Sequence, residues 1–160
     1  MQLLGGLKPL HSLHPGEWYF GNNYERLHTV LGSCVALSSW HPHYKIGGMC
    51  HYLLPLPPGH TSSKQGDCRY ALNALEQMKK SMLACAPLDE YRIGIFGGGN
   101  MFSFVSPRSV GYENILYARQ WLAREKVQLF QSDVGGRVSR SVILVLATGE
   151  IQLKRYDMNT

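Results

Sequence analysis

The sequence predicts an α+β fold, and three observations lead there. Stretches with strand-like alternation outnumber helical ones by roughly seven to two. The strand-like stretches follow one another as hairpins do, rather than alternating with helices as in a parallel α/β sheet. The composition suits a packed interior: of 160 residues, 44% are hydrophobic and 17% charged, which excludes a disordered tail and a coiled coil. A chain of this length buries roughly 70% of the surface it exposes when unfolded, so neither disulfides nor a structural metal are needed. Residues 1–160 read as a single domain.

The elements follow in order. Residues 1–24, rich in Gly, Pro, His and Asn, read as an irregular lead-in. Arg26–Leu31 is the first strand and runs into Gly32-Ser33; Cys34–Trp40 is the second, and Ile46–Leu54 the third, stopped by Pro55. Leu56–Gly66 carries Pro57, Pro58, Gly59 and Gly66 and is a loop. Between Cys68 and Ala86, Leu72, Leu75, Met78, Met82 and Leu83 recur at helical spacing, while Glu76, Lys79 and Lys80 take the wet side. Pro87 ends that helix. Tyr91–Phe96 is a short strand entering Gly97-Gly98-Gly99, and Asn114 reads as the N-cap of a second helix packed through Ile115, Ala118, Trp121 and Leu122. Val127–Phe130 is a strand, and Val142–Leu146 with Ile151–Leu153 forms a hairpin turned at residues 147–150.

Charge and cysteines narrow the function. Sixteen Lys and Arg against 11 Asp and Glu leave a net charge of +5, but the basic residues are scattered, with no run longer than Lys79-Lys80 or Lys154-Arg155. A nucleic-acid binder collects them into a stripe, so the charge better suits an acidic protein partner. The most apolar run, Val142–Ala147, is far short of the roughly 20 residues that span a bilayer, so no membrane insertion is expected. The first 15 residues hold Lys8 and no apolar core of signal length. Cys34, Cys50, Cys68 and Cys85 are spaced 16, 18 and 17 apart without a Cys-x-x-Cys pair. These features predict a cytoplasmic protein.

Cys34 and His51 are the residues with chemistry. If Cys34–Trp40 and Lys45–His51 pair around a His41-Pro42-His43-Tyr44 loop, Trp40 faces Lys45 and Cys34 faces His51. Directly opposed Cβ atoms lie about 4.5–5.5 Å apart, within reach of a thiolate–imidazolium contact. A bulge at Gly47-Gly48 would shift that register. Gly32 and Ser33 can turn backbone N–H groups toward the sulfur as an oxyanion hole, and Thr29 offers a hydroxyl to orient the imidazole. The alternative is that Cys34 is merely a small buried apolar residue. His41, His43, His51, His60 and Cys50 do not assemble into a zinc set, because His41 and His43 flank a turn and Cys50 points away from His51. No metal and no cofactor are expected. Gly97-Gly98-Gly99-Asn100 lacks the spacing of a phosphate loop and reads as close backbone packing or a ligand-facing turn. Cys68 and Cys85 read as packing residues.

Five segments, in order, resemble the chemoreceptor glutamine deamidases (CheD) of bacterial chemotaxis. Thr29-Val-Leu-Gly-Ser-Cys34-Val-Ala-Leu is similar to the family's Thr-Leu-Leu-Gly-Ser-Cys-Val-Ala-Val, and Gly47-Gly-Met-Cys-His51-Tyr-Leu-Leu-Pro55 to its Gly-Gly-Met-x-His-x-x-Leu-Pro. Phe96-Gly-Gly-Gly-Asn-Met-Phe102 resembles Phe-Gly-Gly-Ala-x-Met-Phe, Gly111-Tyr-Glu-Asn114 resembles Gly-x-x-Asn, and Asp133-Val-Gly-Gly136 with Arg140 resembles the C-terminal Gly-Gly-x-x-Gly-Arg block. The chain departs at Tyr70-Ala71-Leu72, where the family has Tyr-x-Asp, at Ser139 in place of Gly, and at Gly99 in place of Ala.

The resemblance implies β-sheets packed face to face with flanking helices, in a cysteine hydrolase fold related to the cytotoxic necrotizing factor toxins. It implies Cys34 as nucleophile, His51 as general base and acid, and Thr29 as the residue that orients His51. The substrate it implies is glutamine on the cytoplasmic helices of methyl-accepting chemoreceptors, with a CheC-type phosphatase of CheY phosphate as a further partner. The rim that meets those partners is expected at Leu56–Gly66 and at Phe96, Gly97, Gly98, Gly99, Asn100, Met101 and Phe102. A cysteine hydrolase of other specificity and a non-enzymatic adaptor are the rival classes.

Overall fold

The computed structural model describes residues 6–60, 66–100 and 109–157. In chain order its elements are β1 (Lys8–Ser12), β2 (Trp18–Gly21), β3 (Tyr24–Leu31), β4 (Val35–His41), β5 (Ile46–Tyr52), α1 (Ala71–Leu83), β6 (Arg92–Gly97), α2 (Val110–Glu125), β7 (Leu129–Val134), β8 (Val138–Val145) and β9 (Ile151–Asp157). They form a four-stranded sheet ordered β1-β3-β8-β9 and a five-stranded sheet ordered β2-β5-β4-β6-β7. The β1–β3 and β6–β7 pairs are parallel and the others antiparallel. The fold is α+β with mixed sheets, as the hairpin-rich sequence predicts.

Strand alternation builds two cores. One face of the five-stranded sheet sends Val35, Leu37, Cys50, Tyr52, Ile93 and Ile95 toward Leu75 and Met78 of α1 and Ala118 and Trp121 of α2. Its other face sends Ala36, Trp40, Met49 and Phe96 against Leu27, Leu31, Val142 and Leu144 of the four-stranded sheet. All seven residues of β4 are buried, because that strand lies between helices and the second sheet. Each large apolar side chain sealed in this way contributes about 1.5–3 kcal/mol.

Three expectations need correction. The lead-in is ordered: β1 and β2 lie within it, and β3 begins at Tyr24. Residue type hides β1, an edge strand carrying Pro9, His11 and Ser12, whereas β2 carries the strand formers Trp18, Tyr19 and Phe20 but is only four residues long, between Gly16 and Gly21-Asn22-Asn23. The second helix starts earlier, capped by the Ser109 hydroxyl, which accepts from the Tyr112 amide at 3.1 Å. Asn114 therefore lies inside α2 and is wholly buried. Gly111 allows this start, because a Cβ there would collide with the Gly98 and Gly99 carbonyls.

The third correction is the β4–β5 register. Residues 42–45 form the loop, so His41 faces Ile46, and His51 faces Ala36 instead of Cys34. His41 sets this register from its side chain: Nδ1 accepts from the His43 amide at 3.2 Å and the Tyr44 amide at 3.1 Å. The Lys45 amide donates to the His41 carbonyl at 2.9 Å, with Lys45 in the left-handed region at φ 56°. The shift is two residues, so every side chain keeps its face.

Candidate active site

Cys34 lies just before β4, in the short crossing from β3 of one sheet to β4 of the other. That crossing is held from behind. The Gly32 carbonyl accepts from the Gly99 amide at 2.9 Å and the Cys34 carbonyl from the Gly98 amide at 2.8 Å. Gly97 and Gly98 have φ of 105° and 68°, and a Cβ on Gly97 would overlap the Cys34 carbonyl. The expected rim at Gly97–Asn100 is thus a cradle for the Cys34 segment, its amides spent on Cys34, Gly32 and, from Asn100, the Gly136 carbonyl at 2.8 Å.

Phe96 is not a rim residue either: it is 0% exposed, on the β6 face that packs between the sheets. Asn100 is half-buried, and Met101 and Phe102 lie outside the described residues. Of the Leu56–Gly66 loop, Pro58–His60 forms a short 3-10 turn and residues 61–65 lie outside the described residues.

His51 sits on the inner face of β5 at 2% exposure, and Thr29 on the inner face of β3 at 1%. Thr29 Oγ1 is 2.8 Å from the Leu13 carbonyl, to which it donates, and 2.7 Å from His51 Nδ1. A hydroxyl has one proton, and that proton goes to Leu13. Thr29 must therefore accept from Nδ1–H, which fixes the tautomer with a bare lone pair on Nε2. His51 Nε2 is buried and has no hydrogen-bond partner among the described residues.

The chain before β2 closes over this histidine: the Gly16 amide donates to the His51 carbonyl at 2.8 Å, and the His51 amide to the Glu17 carbonyl at 3.2 Å. Leu13, Gly16 and Glu17 hold the site through backbone atoms, for which residue type carries no signal. Cys34 is half-buried, and alternation from Ala36 places it on His51's face of the sheet, a diagonal neighbour about 7–8 Å away between backbones. Cys50 lies on the opposite face, among the helix-side core.

Electrostatics reverse one expectation. Burial pushes the Cys34 thiol above its ordinary range, and burial pushes His51 down to about 4, outweighing the attraction of Glu17. Both shifts, each led by burial, favour a neutral thiol and a neutral imidazole over a thiolate and an imidazolium. No cluster of three or more metal-ligating side chains occurs among the described residues. No helix of the described residues is long and apolar enough to cross a membrane.

The α+β fold thus brings a half-buried thiol to the sheet face that carries an imidazole with Nδ1 tied to a hydroxyl and Nε2 unpartnered among the described residues. The family described as CheD chemotactic sensory transduction matches residues 53–155. A probable chemoreceptor glutamine deamidase CheD 1 of Chromobacterium violaceum is 34% identical over 148 residues, spanning 89% of this chain and 76% of that protein. A probable chemoreceptor glutamine deamidase CheD of Pseudomonas syringae pv. syringae is 38% identical, spanning 91% and 84%. One from Leptospira interrogans is 34% identical, spanning 91% and 92%. The chain belongs to the CheD family. The family match begins after His51, but alignments spanning 91% of the chain necessarily include positions 29 to 51.

Proposed function

We propose that this protein is a protein-glutamine deamidase, converting glutamine side chains of methyl-accepting chemoreceptors to glutamate with Cys34 as nucleophile. The observation that carries the reading is the bare, buried Nε2 of His51, held by Thr29 on the face that Cys34 shares. As the substrate carboxamide docks, Nε2 takes the thiol proton while sulfur bonds to the carboxamide carbon. The Gly32 and Ser33 peptides support the oxyanion. Their carbonyls are tied to the Gly99 amide and to the Asn114 side chain, so the trans N–H groups of Ser33 and Cys34 point the other way. Protonated Nε2 then gives its proton to the departing nitrogen, and ammonia leaves a thioester. Water loses a proton to Nε2, attacks the thioester carbon, and returns Cys34 as a thiol and the product as glutamate.

Residues 1–160 act in this reading as one cysteine-hydrolase domain of the cytotoxic necrotizing factor type. The names of its relatives and the family match support the substrate class, and the +5 charge supports an acidic partner. A CheC-type phosphatase occupies the same Cys34 face, so it competes with receptor. Mass spectrometry of a receptor cytoplasmic fragment incubated with the protein tests the proposal. The expected product is uncut and heavier by about one dalton per glutamine, and is absent with Cys34→Ala or His51→Ala. Chain cleavage would identify a peptidase instead.

A further inference from the structure

We infer that Asn114 is a positioning residue for the reaction, a clamp that holds the chain at Cys34 and the chain at His51 at a fixed spacing. This rests on the Cys34–His51 reading above. The β4–β5 ladder ends at the pair Val35–Tyr52. Beyond it lie the two segments that matter: Cys34 precedes β4, and the chain leaves β5 one residue after His51. No ladder joins them there.

The Asn114 side chain does. Its Nδ2 donates to the Ser33 carbonyl at 3.1 Å and to the Leu53 carbonyl at 2.8 Å, one residue before Cys34 and two after His51. Two carbonyl oxygens converging on one end of the amide settle which end is nitrogen. The Tyr52 hydroxyl donates to the Asn114 backbone carbonyl at 2.6 Å, which fastens the clamp's own helix to β5.

The amide also carries a liability. Asn114 is 0% exposed, and its Oδ1 has no hydrogen-bond partner among the described residues. An apolar side chain would occupy the space without burying an unpaired carbonyl. Packing alone does not account for an amide here, whereas two donors aimed at the two active-site segments do. Misplacing a nucleophile and its base by an ångström costs about 100-fold in rate, which is what the clamp prevents.

Asn114→Leu and Asn114→Asp test the assignment. The first keeps the branching at Cγ without donors, at a larger volume, and the second keeps both shape and size but sets a carboxylate against two carbonyls. Leu122→Ala, a buried site further along the same helix, serves as a control that loses stability without touching either segment. The expected result is a kcat per titrated active site about 100-fold below wild type in both Asn114 variants, with KM within about twofold. Iodoacetamide labelling of Cys34 falls to the His51→Ala rate, and Leu122→Ala keeps wild-type kcat per site. The clamp is overturned if the Asn114 variants lose activity only in proportion to their folded fraction, or if neither variant folds. Cys34→Ala and His51→Ala run alongside. If those two are inactive while the Asn114 variants match wild type per site, the clamp alone fails; if they remain active, the Cys–His reading fails and the clamp with it.

Discussion

Thr29 and His51 belong to different sheets, and the 2.7 Å contact between Thr29 Oγ1 and His51 Nδ1 joins the two across the core. The bond is directional. The Thr29 proton is committed to the Leu13 carbonyl at 2.8 Å, so the imidazole must donate, and its other nitrogen is left as a base. Leu13 is itself fixed, its amide donating to the His28 carbonyl at 2.8 Å. A protonation state of the site is thus written into three backbone and side-chain contacts.

Thr29→Val should therefore lower kcat about 100-fold, because it keeps the shape and loses both the acceptor for Nδ1–H and the donor to Leu13. Thr29→Ser keeps both and should retain most activity. Long-range proton–nitrogen NMR gives the check: His51 carries its proton on Nδ1 in wild type and Thr29→Ser, and loses that preference in Thr29→Val. A valine variant with wild-type kcat would remove Thr29 from the mechanism.

The pH behaviour follows from burial. With His51 pushed down to about 4 and the Cys34 thiol raised, the free protein should show no thiolate absorbance from Cys34 at pH 7, and His51 should stay neutral to well below pH 6. The sign for stability is set by the same shift. The unfolded histidine takes up a proton near pH 6.5 and the folded one only near 4, so His51 contributes stability above pH 6.5 that is lost as the pH falls toward 4. The loss is about 3 kcal/mol over that window. Denaturant titrations at pH 7 and pH 4 should differ by less in His51→Leu than in wild type. A Cys34 thiolate signal at neutral pH would restore the ion-pair picture.

Cys34 and Cys50 separate chemistry from packing. Cys50 lies on the helix-side face of β5, and burial pushes its thiol up to about 12, so it stays protonated at any working pH. Cys50→Ala should cost about 1 kcal/mol of stability and leave kcat unchanged. Cys34→Ala should do the reverse. An inactive but folded Cys50→Ala would mean that the two faces of β5 are exchanged.

Alternation and periodicity made the strands from Arg26 to Tyr52 and both helices legible, and put Cys34 and His51 on one face of their hairpin. What they could not carry was information held outside side-chain pattern. The β4–β5 register turns on His41 Nδ1 capping the loop amides, a contact that hydrophobic pattern does not encode. Phe96 sits at a motif but points between the sheets, because the parity of β6 sends it there with Ala36. Asn114 has the residue type of an N-cap, and only Ser109 one turn earlier, with Gly111 against the Gly98 carbonyl, reveals it as interior. The segment at Leu13–Glu17 acts through its backbone, where any residue type would look alike.

The cradle behind Cys34 is itself braced by a buried arginine. Arg140 is buried at 3% exposure, and its Nε donates to Asp133 Oδ1 at 2.7 Å while one terminal nitrogen reaches the Gly135 carbonyl at 2.7 Å. Its other terminal nitrogen lies 3.4 Å from the Gly97 carbonyl, next to the Gly98 amide that holds Cys34. Asp133 also pairs with Arg155, whose side chain is 59% exposed, and the two guanidiniums, Arg155 foremost, hold the Asp133 carboxyl below its usual range. The two arginines should nevertheless differ sharply. Arg155→Ala removes a solvent-screened partner and should cost no more than about 1 kcal/mol. Asp133→Asn strips the counter-charge from a buried guanidinium and should cost about 3–5 kcal/mol. Urea denaturation at pH 7 measures both. The Asp133→Asn protein should also label more slowly at Cys34, since the Gly97–Gly98 turn loses its brace. Equal losses from the two substitutions would mean that Arg140 is solvated rather than buried, and the bracing role would fall.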